Sequence, residues 1–297
     1  MFFYSVGVEE HKFFMYFCRR MPISLLKHII KGSVTEENFK KIIPSESLVE
    51  HIDCFYIVSC EDFISNQLVF NDGLPTLIFM ATPESVVRIS IGADVINIKG
   101  GWASGGITKN TYIKNLSDTD FLLIVRFNPT SFYRFFEIDA KVFKNKCIVA
   151  IQEILKTKGS ELVLSVFRAN SIDDKINEIE SYVKDSELSN YPIALLNEAV
   201  RLIKEQKGKV SVIDVCNKIG VNYKWLERNF STHIGLTPKE YVGIQRFIHM
   251  YFDLTENSDK NYLSTAVRNG YYDQSHLFRD FKSFVGASPL QYFSTSK

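Results

Sequence analysis

Residues 216–230, C-N-K-I-G-V-N-Y-K-W-L-E-R-N-F, and residues 266–281, A-V-R-N-G-Y-Y-D-Q-S-H-L-F-R-D-F, decide the fold, because they are two versions of one segment. Gly220 and Gly270 lie 50 residues apart. Leu226 and Leu277, Arg228 and Arg279, Phe230 and Phe281, Gly235 and Gly286, Thr237 and Ser288, Pro238 and Pro289, and Tyr241 and Tyr292 all lie 51 apart. One residue is inserted at the turn, and seven matched positions at one offset identify an internal repeat. The punctuation agrees. Ser211 with Asp214 reads as a capping box that opens a short helix ending at Gly220. Asn222 caps a second short helix, and Thr237-Pro238-Lys239-Glu240 opens a longer one reaching about Leu254.

Two short helices around a tight glycine turn are a helix-turn-helix signal, so modules are expected at about 211–233 and 261–284, joined by the Pro238 helix. Leu226 and Phe230, like Leu277 and Phe281, are spaced i, i+4 and belong to the core. That leaves Lys224 with Arg228, and Ser275 with Arg279, on other faces. A connecting helix of about 16 residues is about 24 Å long. With the module radii added, the second helices sit roughly 34 Å apart, one turn of DNA.

These residues carry a family resemblance. Residues 266–292 and their partners at 216–230 and 235–241 resemble the C-terminal signature of AraC/XylS-type transcription regulators. The resemblance implies a DNA-binding domain at 192–297, with the second helix of each module in the major groove of double-stranded DNA. By matched position it implies contacts from Lys224 and Arg228 in the first module, and from Gln274, Ser275 and Arg279 in the second; Tyr223 and His276 adjoin them. Glu227 reads either as an acceptor for a cytosine N4 amine or as a solvated charge. Phe278 reads either as a contact to a thymine methyl or as half-buried core, and His276 either as a phosphate contact or as packing. Cys216 stands where the family usually has Ala, and Thr265 where a larger aliphatic residue is common; both are small enough to pack.

Ahead of this domain the pattern is different. From Cys54 the chain runs through C-F-Y-I-V-S-C, Q-L-V-F, T-L-I-F-M-A, V-V-R-I-S-I, D-V-I-N-I-K-G, T-Y-I-K-N-L and F-L-L-I-V-R-F, broken by turns such as Asn71-Asp72-Gly73. Residues 44–130 are therefore expected to form a small β-barrel or sandwich. It is similar, less specifically, to the β-rich N-terminal domains of some family members, which sense a signal or dimerise. After Pro129 the spacing turns helical, including Ile148, Ile151, Ile154 and Leu155, so 131–191 reads as a helical connector ending in a polar linker before Pro192. Residues 1–43 read as an extension of unassigned role. The overall class is α+β, with an all-α C-terminal domain.

Composition sets the limits. The 297 residues are 45% hydrophobic and 23% charged, which is globular and excludes disorder. The last 106 residues hold 14 basic and 10 acidic side chains, a modest surplus of four that favours specific base contacts over strong nonspecific binding. Cys18, Cys54, Cys60, Cys147 and Cys216 form no C-x-x-C pair, so free thiols in a cytoplasmic chain are expected. Cys54 and Cys60 share one side of a strand and are either a redox pair or buried thiols. The six histidines show no metal-ligand spacing, and neither a cofactor nor an enzymatic residue set is expected. The glycine-rich 99–106 matches no phosphate-binding loop; it reads either as a turn between kinked strands or as a loop whose Trp102 stacks on a small-molecule effector. No run approaches the roughly 20 apolar residues of a membrane helix. A homodimer, and RNA polymerase for an activator, complete the expected partners. The alternatives are a front domain that only dimerises and an enzyme with a regulatory tail.

Overall fold

A computed structural model describes residues 39–61, 65–155, 157–184, 193–256 and 261–294. Most of the expected extension, and the polar linker before Pro192, lie outside the described residues. The N-terminal half is built from three layers. A six-stranded sheet has the order β1 (Phe39–Ile42), β2 (Ile52–Ser59), β9 (Phe121–Phe127), β4 (Thr76–Met80), β7 (Gly101–Ser104), β10 (Ile148–Ala150). A four-stranded sheet has the order β3 (Gln67–Leu68), β8 (Thr111–Ser117), β5 (Val86–Ile91), β6 (Asp94–Lys99).

Alternation explains which face goes where. Tyr56, Ile78, Trp102 and Ile124 point toward the second sheet and meet Val87, Ile89, Ile98 and Ile113. Phe55, Leu77, Phe79, Leu123 and Val125 point the other way, onto a helical layer. That layer comprises α1 (Phe132–Phe135), α2 (Val142–Asn145), α3 (Ile151–Ile154), α4 (Thr157–Arg168) and α5 (Ile172–Lys184). The central strands are thus covered on both sides, and β4 is buried at all five positions, which is why it reads as a continuous apolar run.

Three expectations change. The two sheets are separate and open, so the sandwich reading holds and the barrel does not close. The first strand starts at Phe39, inside the stretch read as an extension, and pairs with β2. The glycine-rich segment contains a strand, and Ile148–Ala150 is strand where helical spacing was expected; the two pair with each other. Gly101 is required there by close approach, since a Cβ would collide with the Ile78 carbonyl on β4.

The C-terminal half is helical: α6 (Ile193–Glu205), α7 (Val212–Ile219), α8 (Tyr223–His233), α9 (Pro238–Glu256), α10 (Tyr262–Arg268), α11 (Gln274–Val285) and α12 (Pro289–Ser294). Ser211 and Asn222 cap as the sequence indicates, and Asn261 and Asp273 cap the corresponding helices of the second copy. Ser211 accepts from the Asp214 amide, Asn222 from Trp225, Asn261 from Ser264 and Asp273 from His276. Gly220 takes the left-handed conformation (φ +72°) that closes α7. The repeat extends to hydrogen bonds. Thr237 and Glu240 exchange a capping box at α9, and Ser288 and Gln291, 51 residues on, do the same at α12.

Both halves share one core. Leu68 is buried among residues of α6 to α12, and Phe70 packs against Phe247 and Tyr251 of α9 at 5.2 and 5.6 Å between ring centroids. Phe281, fully buried, stacks on Tyr251 at 5.8 Å. Phe281→Ala is expected to destabilise the folded chain by about 3–5 kcal/mol, read from urea unfolding. A loss below about 1 kcal/mol would contradict this placement at the centre of the second module.

Candidate nucleic-acid interface

The two second helices present matching outer faces. On α8, Leu226, Asn229 and Phe230 are buried, while Lys224 and Arg228 are exposed, with Tyr223 43% exposed beside them. On α11, Leu277, Phe281, Phe284 and Val285 are buried, and Gln274, Ser275 and Arg279 are exposed. Arg228 and Arg279 project from equivalent positions of the repeat. Neither has an ion-pair partner among the described residues, so both guanidinium forks are available to an external acceptor.

The remaining candidates are held more tightly. Phe278 is half-buried and meets Tyr262 edge-on at 5.3 Å, tying α11 to α10. The His276 ring packs edge-on against Tyr271 at 5.1 Å, and its amide donates to the Asp273 carboxylate at 2.7 Å. Glu227 is half-buried. Cys216 and Thr265 are 4% and 3% exposed, so the two departures from the usual family residues do pack.

Connecting helix α9 spans 19 residues, about 28 Å, slightly longer than expected. It is pinned to the second module by Arg246, whose guanidinium lies 4.8 Å over the Tyr271 ring and 3.8 Å from Asp280. Asp253 near its end accepts from Arg268 at 2.8 Å. The two modules are therefore set on one stiff rod.

The N-terminal half holds that arrangement from one side. At the end of α8, Gly235 (φ +76°) lies against the Tyr133 ring, with Tyr133 Cζ 2.8 Å from where a Cβ would stand. At the end of α11, the repeat-equivalent Gly286 (φ +86°) lies against the Asn110 side chain in the same way. The Asn110 amide donates to the Phe284 carbonyl at 2.7 Å, and the Tyr112 hydroxyl donates to the Val285 carbonyl at 2.6 Å. These carbonyls belong to the last turn of α11, which has no partners of its own for them. On α9, Gln245 donates to the Asp72 carbonyl at 2.5 Å, and Gly73 presses against the Tyr241 ring.

The Asn71-Asp72-Gly73 turn that makes this contact is itself anchored. Buried Arg126 donates to Asp72 at 2.8 Å and to Asp53 at 3.1 Å. Burial opposes the Arg126 charge, and the two carboxylates outweigh it. Burial also disfavours ionised Asp53, but Arg126 prevails and holds that carboxyl below its ordinary range. Lys204 of α6 faces the same cluster, its ammonium pushed down by burial. These contacts fall on α6, on α9 and on the C-terminal ends of α8 and α11, and the Thr130 hydroxyl adds one more to α6 by donating to Asn197 at 2.8 Å. The N-terminal ends of both second helices stay clear of them.

Trp102 lies in strand β7, not in a loop, and is 1% exposed. It occupies a transverse row with Ile78, Ile124 and Tyr56, and among the described residues its ring nitrogen has no hydrogen-bond partner. Any molecule that stacks on Trp102 has to enter between the sheets. Cys54 and Cys60 are free, and burial raises their thiols to about 12 and about 11, so they are inert at neutral pH. Among the described residues no group of three or more His, Cys, Asp or Glu is placed to hold a metal, and no helix is long and apolar enough to cross a membrane.

The residues of the interdomain contact had no signal in the sequence beyond the Asn71-Asp72-Gly73 turn. Gln245 and Asp72 are 173 positions apart, as are Tyr112 and Val285.

Comparison with known proteins bears on both halves. Residues 215–295 match a family described as a helix-turn-helix domain, and residues 40–149 match a domain family of unknown function, DUF6597. The melibiose operon regulatory protein of Escherichia coli (strain K12) is 28% identical over 88 residues, which are 30% of this chain and 29% of that protein. An uncharacterized response regulatory protein of Staphylococcus epidermidis is 28% identical over 109 residues, 36% of this chain and 43% of that protein. The chain thus spans less than half the length of these relatives. The crystal structure of ToxT from Vibrio cholerae O395 aligns over 88% of this chain and 99% of its own, at 14% identity and a TM-score of 0.39, a likeness too low to carry a functional argument.

Tyr112→Phe removes the hydroxyl that satisfies the Val285 carbonyl. The expected cost is about 0.5–1.5 kcal/mol, with faster amide hydrogen exchange in the last turn of α11. Unchanged exchange there would contradict the capping role given to the N-terminal half.

Proposed function

We propose that this chain, with a helix-turn-helix domain behind a β-rich domain, is a sequence-specific DNA-binding regulator of transcription of the AraC/XylS type. The observation that carries this reading is the pair Arg228 and Arg279. They are exposed at equivalent positions on two capped helices joined by one stiff rod. Helices α8 and α11 enter successive major grooves by their free N-terminal ends. Lys224 and Arg228, and Gln274, Ser275 and Arg279, supply the base and phosphate contacts. Tyr223 lies at the edge of that set, as do Glu227, His276 and Phe278, the last three partly engaged in packing.

The N-terminal half would set activity through its grip on the modules. An effector, or a second copy of the chain, that favours one placement of the Asn71-Asp72-Gly73 and Asn110–Tyr112 contacts shifts the population toward a DNA-competent or DNA-incompetent arrangement. The buried Trp102 ring nitrogen, without a partner among the described residues, and the buried Tyr56 hydroxyl are the polar groups an effector between the sheets would meet. An N-terminal half that only dimerises gives the same DNA contacts without a ligand, and RNA polymerase is the partner if the chain activates. The family to which the C-terminal domain belongs consists of regulators rather than enzymes.

The test is the affinity of the full chain and of Arg228→Ala and Arg279→Ala for a duplex selected by the wild type. Each substitution is expected to cost about 1–3 kcal/mol and to relax base preference in one half-site only. Unchanged affinity in both variants would refute the assignment of α8 and α11 as reading helices.

A further inference from the structure

The DNA reading leaves unused a basic seam where the two modules touch. Lys207 and Lys209 flank Gly208 in the turn after α6, and this turn is rigid. Lys207 and Gly208 both take left-handed backbone conformations (φ +54° and +69°). The Gly208 amide donates to the Ile203 carbonyl at 3.0 Å, and the Lys209 amide to the Gln206 carbonyl at 2.9 Å. Gly208 is pressed onto the backbone of α9, where a Cβ would collide with Arg246 and Val242. The two lysines are therefore presented from a turn seated on the connecting rod.

Both side chains are exposed, and among the described residues neither has an ion-pair partner. The neighbouring acids are engaged elsewhere: Glu205 with Arg201, and Asp253 with Arg268 and Asn269. The two charges converge on one place. After burial, Lys207 and Lys209 are the main groups that depress His249 on α9, to about 4, so that ring is neutral near pH 7.

The seam leads to the second reading helix. The Lys209 stem lies over Gly270, with its Cγ 3.3 Å from where a Cβ would stand. Gly270 begins the turn into α11. Two residues on, Tyr272 is 91% exposed, the most exposed large hydrophobic residue among the described ones, and it directly precedes the Asp273 cap. Its neighbour Tyr271 is buried under Arg246, so of the two adjacent tyrosines only Tyr272 faces outward. The first module supplies no counterpart, because this is the turn that carries the inserted residue. A reading helix enters the groove by its N-terminal end, so the chain just ahead of that end lies at the groove's lip, where the phosphates are.

We propose that Lys207, Lys209 and the Tyr272 hydroxyl form a phosphate-binding seam that holds the DNA backbone between the two grooves without reading bases. The inference rests on the DNA-binding reading above and adds a contact that neither second helix contains. The lysines neutralise phosphate charge and release counterions, and Tyr272 donates one hydrogen bond to a phosphate oxygen.

The test uses the full chain with a duplex selected by the wild type and with a scrambled duplex, each titrated at several salt concentrations between 50 and 200 mM. For the double variant Lys207→Gln/Lys209→Gln, the slope of log K against log salt is expected to become shallower by about 2, with affinity falling by a similar factor on both duplexes. Tyr272→Phe is expected to weaken both duplexes alike with the slope unchanged. The lysines are exposed, and an unchanged melting temperature in the double variant separates lost contacts from lost fold. A wild-type chain that binds the selected duplex, together with a double variant whose slope is unchanged, overturns the seam and leaves the reading helices standing. A double variant that loses preference between the two duplexes also overturns it, because the lysines would then be reading bases. A wild-type chain that prefers neither duplex overturns both readings.

Discussion

Two turns of the repeat, 51 residues apart, are held by the same body. Gly235 ends the first second-helix against Tyr133, and Gly286 ends the other against Asn110. Each glycine has a positive φ, which a side chain would strain, and each is covered by a group that would collide with a Cβ. The β-rich half thus meets both modules at the one kind of position where the backbone lies bare. The distance between the two second helices is determined twice over, by the stiffness of α9 and by this shared support.

The magnitudes suit regulation. The four hydrogen bonds seen between the halves among the described residues, from Asn110, Tyr112, Gln245 and Thr130, are worth about 0.5–1.5 kcal/mol each. Together they amount to about 2–6 kcal/mol, a range that takes in the roughly 5.5 kcal/mol needed to invert a two-state population from 1:99 to 99:1. A ligand or partner acting on the Arg126, Asp53 and Asp72 cluster would not have to break the shared core around Phe70 to alter the grip. It would only have to displace one anchored turn. A buried pair of this kind is costly to desolvate and sensitive to anything that removes one partner.

What the sequence made legible was local. Ser211 and Asn222 identify helix starts because a cap is a contact between residues three apart, and the repeat reveals itself because both copies need Leu, Phe and Gly at the same spacing. The strands were visible as β-branched and aromatic runs. Two failures have one cause. Gly101–Ser104 has strand conformation because Ile78 and Ala150 flank it, and Ile148–Ala150 because it pairs with that strand; neither partner is near in sequence. The grip was invisible for the same reason, and Trp102 could be singled out as unusual without its burial being known. Among the candidate contacts, the exposed residues could be inferred by subtracting the core spacing. For His276 and Phe278 the sequence left packing open beside a DNA contact, and Tyr271 and Tyr262 supply the packing; the half-buried state of Glu227 had no signal in the sequence.

The central claim is that one chain reads two adjacent grooves with α8 and α11. Selection of the full chain's binding sites from a random duplex pool tests it most directly. The account predicts an enriched bipartite motif, two half-sites separated by about one helical turn, 10–10.5 base pairs centre to centre. A single contiguous half-site, or no enrichment at all, would contradict it.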